Sequence, residues 1–494
     1  MSASAYTQTN LVSDGLIPAR VVDPNLTNPW GVADSPTGPF WVSDNGTGLT
    51  TIYDGAGNPV PVAGHTAITI AAPPGQTDPA SPTGQVFNDT RTGFNISSNG
   101  HTAPSAFIFA TEDGTISGWS PTVDPASSVL AVDNSTAGAI YKGLALGHTG
   151  SDSFLFAANF HNGSVDVFDS QFHQVGSFTD ATLPAGYAPF NTQVLDGHLF
   201  VTFALQDVAK EDDVAGAGHG FVDEFDLQGH LLHRVASGGP LDSPWGLAIA
   251  PSGFGEFSND LLVGNFGDGT INAFDPSDDH FLGKLLDNEG NPIVIGDLWA
   301  LEPGNAGASS NPRGIYFTAG VQDEAHGLFG DLTASEHLNP MYRFFNAQTG
   351  DHFFTTSVDE LNQVLKTQPS YRFEGVVGAT ADKGADTQDV FRFFDAATSS
   401  HFYTASTAER DQILKTQPSY HLEGVAFEAY TNPASVGSSG ETMERFFNTN
   451  SHVHIYSADP SEISAINSGK DGAGWVDEGK AFTIHISTDG LLHA

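Results

Sequence analysis

The protein has 494 residues and carries 17 Lys and Arg against 58 Asp and Glu, a formal charge of −41 at pH 7, with no cysteine. That balance makes nucleic acid a poor partner and disfavours anionic membrane surfaces, because phosphate binding needs clustered cations. The missing thiols exclude a disulfide framework, thiolate catalysis and Cys-type zinc sites.

With 39% apolar and 11% aromatic residues the chain reads as folded rather than as an acidic tail, and 55 Gly with 28 Pro point to many turns. No apolar run reaches the ~18 residues of a membrane span. The opening Met1-Ser-Ala-Ser-Ala-Tyr has neither a basic nor an apolar leader segment. The composition fits a secreted bacterial protein whose leader is removed or that leaves by another route, and it equally fits salt-adapted solubility.

In chain order, a short phrase recurs first. Pro29-Trp-Gly-Val-Ala, Pro82-Thr-Gly-Gln-Val, Tyr141-Lys-Gly-Leu-Ala, Pro189-Phe-Asn-Thr-Gln, Pro244-Trp-Gly-Leu-Ala and Pro312-Arg-Gly-Ile-Tyr follow one another at intervals of 53, 59, 48, 55 and 68 residues. An apolar strand follows each, as at Phe40–Ser43 and Leu261–Gly264. Then comes a glycine-opened alternating strand, as in Gly48-Leu-Thr-Thr-Ile-Tyr-Asp and Gly269-Thr-Ile-Asn-Ala-Phe-Asp. Alternation with period two marks half-buried strands. Weaker fourth strands are expected at Pro59–Val62, Val129–Val132, His173–Phe178 and Leu231–Val235. Four short strands per repeat, six times over, predict a six-bladed β-propeller, with a β-sandwich array as the competing fold. The sixth repeat lacks a fourth strand, and Tyr6-Thr-Gln-Thr-Asn-Leu-Val could supply it and close the ring.

The P-x-G-[VIL]-A phrase resembles the NHL class of propellers. The stretch from Asn10-Leu-Val-Ser-Asp through Asn28-Pro-Trp-Gly-Val-Ala is similar to a family of uncharacterised secreted bacterial propellers. The resemblance covers roughly residues 5–330 and implies the fold and an extracellular setting. Some relatives of that class, the gluconolactonase-like enzymes, are metal-dependent hydrolases with Glu, Asn and Asp ligands on inner strands. Here the variable residues of the phrase are Trp30, Thr83, Lys142, Phe190, Trp245 and Arg313, none a carboxylate. Asp44, Asn159 and Asn265, after the second strands of alternate blades, are oxygen donors of the kind Ca²⁺ takes. The bland reading makes them caps of strands and turns, and Glu112 could join either role. Lys142 and Arg313 are two of only seven basic residues before position 336. Placed in opposite blades with Trp30 and Trp245, they predict a cationic, aromatic mouth for an acidic sugar or another carboxylate; the alternative is an ion pair between blades.

The last third reads differently: net charge is −30 before residue 336 and −11 after it. Domains are therefore expected at 1–336 and 337–494, with the junction at Glu336-His-Leu-Asn-Pro. The second holds three repeats, about 340–380, 389–430 and 442–485. Arg343-Phe-Phe-Asn, Arg392-Phe-Phe-Asp and Arg445-Phe-Phe-Asn open them, and His352-Phe-Phe-Thr, His401-Phe-Tyr-Thr and His454-Ile-Tyr-Ser follow nine residues on. Ser357-Val-Asp-Glu and Ser406-Thr-Ala-Glu are capping boxes; Asp459-Pro-Ser-Glu offers an Asp cap and Pro at the first helical position. Strands bearing Glu374-Gly, Glu423-Gly and Glu478-Gly close the repeats. One repeat cannot bury its aromatic face, so a pseudo-threefold β-rich domain with one short helix per repeat is expected. It resembles a module of unknown function appended to secreted bacterial hydrolases and adhesins. Arg343, Arg392 and Arg445 either pair with Glu374, Glu423 and Glu478, with the histidines packed on rings, or His352, His401 and His454 with their aromatic neighbours form three sugar sites.

No nucleophile elbow, zinc-protease helix, P-loop or dinucleotide fingerprint is present in the sequence. The expectation is a mainly β, secreted binding protein, a monomer or part of a surface assembly, recognising glycan or cell-surface and matrix material, with Ca²⁺ as the candidate cofactor. A metal-dependent hydrolase and a structural matrix component are the rival readings.

Overall fold

The computed structural model describes residues 5–307, 309–335, 338–381, 383, 387–431 and 440–486. The chain divides into two compact units, Met1–Ser335 and Glu336–Ala494. Among the described residues no helix is long and apolar enough to cross a membrane.

The first unit is a six-bladed β-propeller of antiparallel sheets. Blade 1 comprises Pro29–Ala33, Phe40–Asp44, Leu49–Tyr53 and Ala67–Thr69 from the axis outward. The fourth strand is thus not Pro59–Val62, where Pro59 makes one isolated bridge to Tyr53; proline has no N–H to give a ladder. Blades 2 to 5 open on Pro82–Phe87, Tyr141–Thr149, Tyr187–Leu195 and Pro244–Ile249, and each continues through three further strands.

Blade 6 corrects the sequence reading. Its inner strand is Leu298–Pro303, and the Pro312-Arg-Gly-Ile-Tyr phrase runs into the second strand, Ile315–Ala319. The third strand is Leu328–Ser335, and the fourth is the N-terminal Ala5–Ser13, pairing from Ala5↔Ser335 to Ser13↔Leu328, with the two-residue strand Val21–Val22 parallel to it on the outer edge. First and last segments of the unit therefore close one sheet, as Tyr6-Thr-Gln-Thr-Asn-Leu-Val suggested. Tyr6 anchors the closure. It is 1% exposed, donates its hydroxyl to Phe254 O at 3.1 Å, and packs on the rings of Phe254 and Phe257.

The recurring glycine has a steric cause. Six inner strands crowd around one axis, and neighbouring backbones touch there. A Cβ on Gly31 would lie 2.5 Å from Thr83 O, and one on Gly246 2.6 Å from Trp299 O. Glycine suits that approach in four blades, while Asn191 stands there in blade 4 and Ala300 in blade 6. In every blade the pairing of inner and second strands also slips by a residue inside the phrase. Such bulges re-aim a side chain. The side chains at this level are Trp30, Thr83, Lys142, Phe190, Trp245 and Trp299.

The second unit is a ring of three repeats. Each places its first strand (Leu338–Asn346, Thr387–Asp395, Gly440–Asn448) between a short partner and a long closing strand. The helices are α1 (Val358–Thr367), α2 (Thr407–Thr416) and α3 (Pro460–Asn467). Ser357 and Ser406 accept from the N–H of Glu360 and Glu409 at 3.2 and 3.1 Å, and Asp459 from Ser461 N at 2.7 Å, the caps their sequences predict. Phe354, Tyr403 and Tyr456 meet edge to face around the pseudo-threefold axis, with centroids 5.6–6.0 Å apart. Tyr403 donates to Phe354 O at 3.0 Å and Tyr456 to Tyr403 O at 2.8 Å.

Candidate functional site

The phrase positions do not line an open passage. Trp30, Phe190, Trp245 and Trp299 are 1%, 0%, 4% and 1% exposed. Trp299 stacks on Trp30 at 3.5 Å, and Trp245 meets both edge-on at 6.3 and 5.7 Å. Together they fill the axis with a plug of rings.

Lys142 sits on that plug, with its ammonium 5.1 Å over the Trp30 ring and 5.8 Å from that of Phe160. The side chain is 2% exposed and bonds Glu112 at 2.6 Å and Asp212 at 3.0 Å. Glu112 also accepts from Asn45 Nδ2 at 2.8 Å, and Trp245 Nε1 donates to Lys142 O at 3.0 Å. Glu324 accepts from Asn28 Nδ2 at 2.7 Å, and the Asn28 carbonyl oxygen accepts from Trp299 Nε1 at 3.3 Å. All six blades contribute to this one polar mouth: Asn28 and Asn45, Glu112, Lys142, Asp212, Trp245, and Glu324 with Trp299.

Burial alone would pull the Lys142 pKa down, but Glu112 and Asp212 carry it above the ordinary lysine value, so it stays charged. Glu324 is pushed up to about 7, chiefly by burial, against the Asn28 hydrogen bond; Glu112 and Asp212 add to the rise and Lys142 opposes it. Burial likewise raises Asp213, in the same loop as Asp212.

Backbone strain accompanies the acid. Gln322, Asp323 and Glu324 have φ of 62°, 54° and 62°, a left-handed turn without glycine, at roughly 1–2 kcal/mol per residue. Asp297, itself at φ 54°, holds the turn by accepting from Asp323 N at 3.0 Å. Strain of this kind collects where function over-determines geometry.

Arg313 is not in this mouth. It lies in the loop between the first two strands of blade 6, its side chain beside Gly253. The pairing of Lys142 with Arg313 at one level is therefore replaced by Lys142 and Trp299. Lys142 is closed by two carboxylates, so the mouth is acidic rather than cationic.

Asp44, Asn159 and Asn265 end the second strands of blades 1, 3 and 5, and the two amides are engaged by other residues. Asn159 donates to Asp166 at 2.8 Å. Asn265 donates to Pro240 O at 2.8 Å and to Asp268 at 2.9 Å. Asp44 is wholly buried, which raises its pKa well above the ordinary aspartate value. Two acids that the sequence did not single out lie where the inner strands of blades 1 and 6 end. Burial raises Asp34 to about 7 despite the bond from Asn305 (2.6 Å), and holds its neighbour Glu302 well above the ordinary range.

In the second unit Arg343, Arg392 and Arg445 do meet Glu374, Glu423 and Glu478, at 3.0, 2.7 and 2.9 Å. Each Arg also reaches the helix-capping Glu of a neighbouring repeat: Arg392 to Glu360, Arg445 to Glu409 and Arg343 to Glu462, at 2.8, 3.0 and 2.8 Å. The relay closes the ring. Two of the histidines join neighbouring repeats. His401 bonds Asp351 at 2.6 Å, and His454 packs between Phe402 and Phe447, both at 4.9 Å. His352, 8% exposed beside Phe345, is lowered to about 4 by burial and by Arg343. These are packed rings, not open sugar platforms, so His401 and His454 are reassigned from ligand binding to assembly of the ring, and His352 to packing within its own repeat.

A family model described as a domain of unknown function (DUF5648) matches residues 340–485. An uncharacterized protein of Acanthamoeba polyphaga mimivirus is 32% identical over 332 residues, 65% of this chain and 78% of its own. A second from that virus is 31% identical over 337 residues, 66% and 85% of the two chains. These relatives are viral, whereas the propeller phrase pointed to bacterial ones. Among solved structures, a streptogramin B lyase covers 67% of this chain and 97% of its own at 12% identity, with a TM-score of 0.40. A virginiamycin B lyase from Staphylococcus aureus covers 67% and 99% at 13% identity and a TM-score of 0.36.

Proposed function

The chain belongs to the family of these mimivirus proteins, and from that premise we propose that it is a binding protein of an extracellular or cell-surface setting whose propeller mouth engages glycan or matrix material. The observation that carries the reading is the mouth built on Lys142: three carboxylates, Glu112, Asp212 and Glu324, and two side-chain amides, Asn28 and Asn45, gathered over a solid aromatic plug. Carboxylates and amides are the groups that fix sugar hydroxyls. Their excess over the one buried cation favours a glycan that carries free amino groups, by electrostatic complementarity. An acidic sugar, suggested by the cations alone, would meet like charge.

The test is calorimetric titration with glucosamine, N-acetylglucosamine and galacturonate tetramers, at low and at 0.5 M salt. The amino-sugar tetramer should bind wild type, weaken with salt, and weaken further in Asp212→Asn and Glu324→Gln. Binding of the galacturonate tetramer equal to that of the glucosamine tetramer, or amino-sugar binding untouched in both variants, overturns the reading.

A further inference from the structure

The hairpin between the inner and second strands of blade 3 carries a polar cluster that the mouth does not use. Tyr141–Thr149 and Asp152–Asn159 are joined by the two-residue turn Gly150-Ser151, with Gly150 at φ 63°. That register sets His148 opposite Ser153, and Ser153 Oγ lies 2.9 Å from His148 Nδ1. The other ring nitrogen, Nε2, lies 3.0 Å from Asp89 Oδ1 of blade 2. A carboxylate only accepts, so the neutral ring carries its proton on Nε2 and donates to Asp89. Nδ1 is left as the acceptor for the Ser153 hydroxyl.

Asp89 is set in place by its neighbour. Asn88 is 5% exposed; it donates to Ser105 O at 2.8 Å and accepts from Thr90 N at 3.1 Å and Thr90 Oγ1 at 2.7 Å. These bonds fix the loop that follows the inner strand of blade 2. Asp89, His148 and Ser153 line one cleft of ≈ 340 Å³. His148 stands six residues after Lys142 on the same strand, about 20 Å along it, so cleft and mouth are separate.

The walls select a substrate. Thr90, Ser151 and Ser170 add hydroxyls, and no Leu, Ile, Val, Met, Phe, Tyr or Trp lines the cleft. Hydroxyls suit a polar alcohol such as a sugar, and a long acyl chain would find no apolar surface to cover it. Gly150 and Ser151 also line the cleft. Their N–H groups lie beyond the last pair of the hairpin ladder, Thr149↔Asp152, and are two backbone donors for a developing oxyanion.

We propose that Ser153, His148 and Asp89 form an esterase site for short acyl esters of polar alcohols, O-acetyl sugars among them. His148 Nδ1 takes the hydroxyl proton as Ser153 Oγ bonds to the ester carbonyl carbon; the bond to the alcohol oxygen breaks, and the alcohol leaves with that proton. Water then adds to the acyl-serine and gives one proton to Nδ1. The bond to Oγ breaks, the carboxylic acid departs, and the proton returns to Ser153. Asp89 positions the ring and faces the imidazolium formed at each transfer. The two ring nitrogens exchange the places they take in Ser-His-Asp hydrolases, and each keeps one role. This activity does not depend on the glycan reading of the mouth.

The experiment treats the full chain with an ethyl fluorophosphonate probe, maps the product by peptide mass spectrometry, and uses p-nitrophenyl acetate and octanoate as substrates. In wild type Ser153 should be phosphonylated, with fluoride leaving and the hydroxyl proton passing to His148. His148→Ala keeps the serine and should label at least about tenfold more slowly. Wild type should hydrolyse the acetate at least about tenfold faster than Ser153→Ala, and at least as fast as the octanoate. Asp89→Asn should lower kcat about tenfold and leave KM within about twofold, the mark of a group that acts in the transition state. Asp89 and His148 are 57% and 44% exposed, so their variants keep the fold. No label on Ser153 at probe excess, unchanged labelling in His148→Ala, equal acetate hydrolysis by wild type and Ser153→Ala, or an unchanged kcat in Asp89→Asn overturns the site. Faster turnover of the octanoate overturns the substrate class.

Discussion

Replacing Glu324 by glutamine should stabilise the propeller, and by an amount that depends on pH in one direction. In the fold Glu324 titrates at about 7, against 4.5 for an ordinary glutamate. Between those values the folded state holds a proton that the unfolded chain has released. Stability therefore falls as pH rises through this window and levels off above it. At about 1.4 kcal/mol per pH unit, the full loss is about 3 kcal/mol. Glutamine keeps a carbonyl oxygen to accept from Asn28 Nδ2 and has no proton to lose. The variant should exceed wild type by about 1 kcal/mol or less at pH 5 and by about 3 kcal/mol at pH 8. Urea unfolding at pH 5, 6, 7 and 8, followed by tryptophan fluorescence, measures this. Five of the six tryptophans lie in the first unit, so the signal reports chiefly on the propeller. A gap between variant and wild type that does not change with pH would refute the burial of Glu324 as an acid, and with it the strained turn as the device that holds it there.

Two further substitutions probe closure of the rings. Tyr6→Ala removes the buried ring and the hydroxyl bond that anchor the N-terminal strand to blade 5, and should cost about 3–5 kcal/mol in the propeller's urea transition; a loss under 1 kcal/mol would mean the strand is not the closure. Phe354→Tyr supplies the hydroxyl that Tyr403 and Tyr456 already use toward their neighbours, and should raise the second unit's thermal midpoint through a gain of about 1 kcal/mol; a lowered midpoint would show that the third side of the pinwheel has no room for it.

The inner strands of five blades were legible because axial crowding forces a recognisable residue. Glycine, or Asn191 in blade 4, stands where neighbouring backbones touch, and proline or tyrosine opens the strand. Blade 6 meets the same constraint with Trp299-Ala300, which carries neither mark, so the phrase was assigned to Pro312-Arg-Gly and Arg313 entered a ring it does not join. Asp212 and Glu324 were not legible at all. They come from loops of unequal length, and only closure of the ring brings those loops to Lys142. In the second unit the intra-repeat partners of Arg343, Arg392 and Arg445 followed from spacing. The bonds to Glu360, Glu409 and Glu462 did not, because a capping box assigns that glutamate a local task, and here its side chain accepts from a hydroxyl of its own repeat, as Glu409 does from Thr404 and Glu462 from Ser457, and also reaches across to the next repeat.

The mouth of the propeller separates two jobs between two kinds of element. Strands supply Trp30, Lys142, Trp245 and Trp299, which pack with the rest of the inner ring and cannot change without disturbing the axis. Loops supply Glu112, Asp212 and Glu324, which touch the plug only through Lys142 or Asn28. Lys142 is the link between them: its stem is buried with the rings and its ammonium is the one cation that the two carboxylates share. Removing it would leave Glu112 half-buried and unpaired beside Asp212, the costly way to break a buried pair. Exchanging the loop acids for neutral amides would change what the mouth attracts while leaving the plug intact. The negative charge of the mouth therefore resides in the loops, and Glu324 sits on a loop with three successive left-handed residues, Gln322, Asp323 and Glu324.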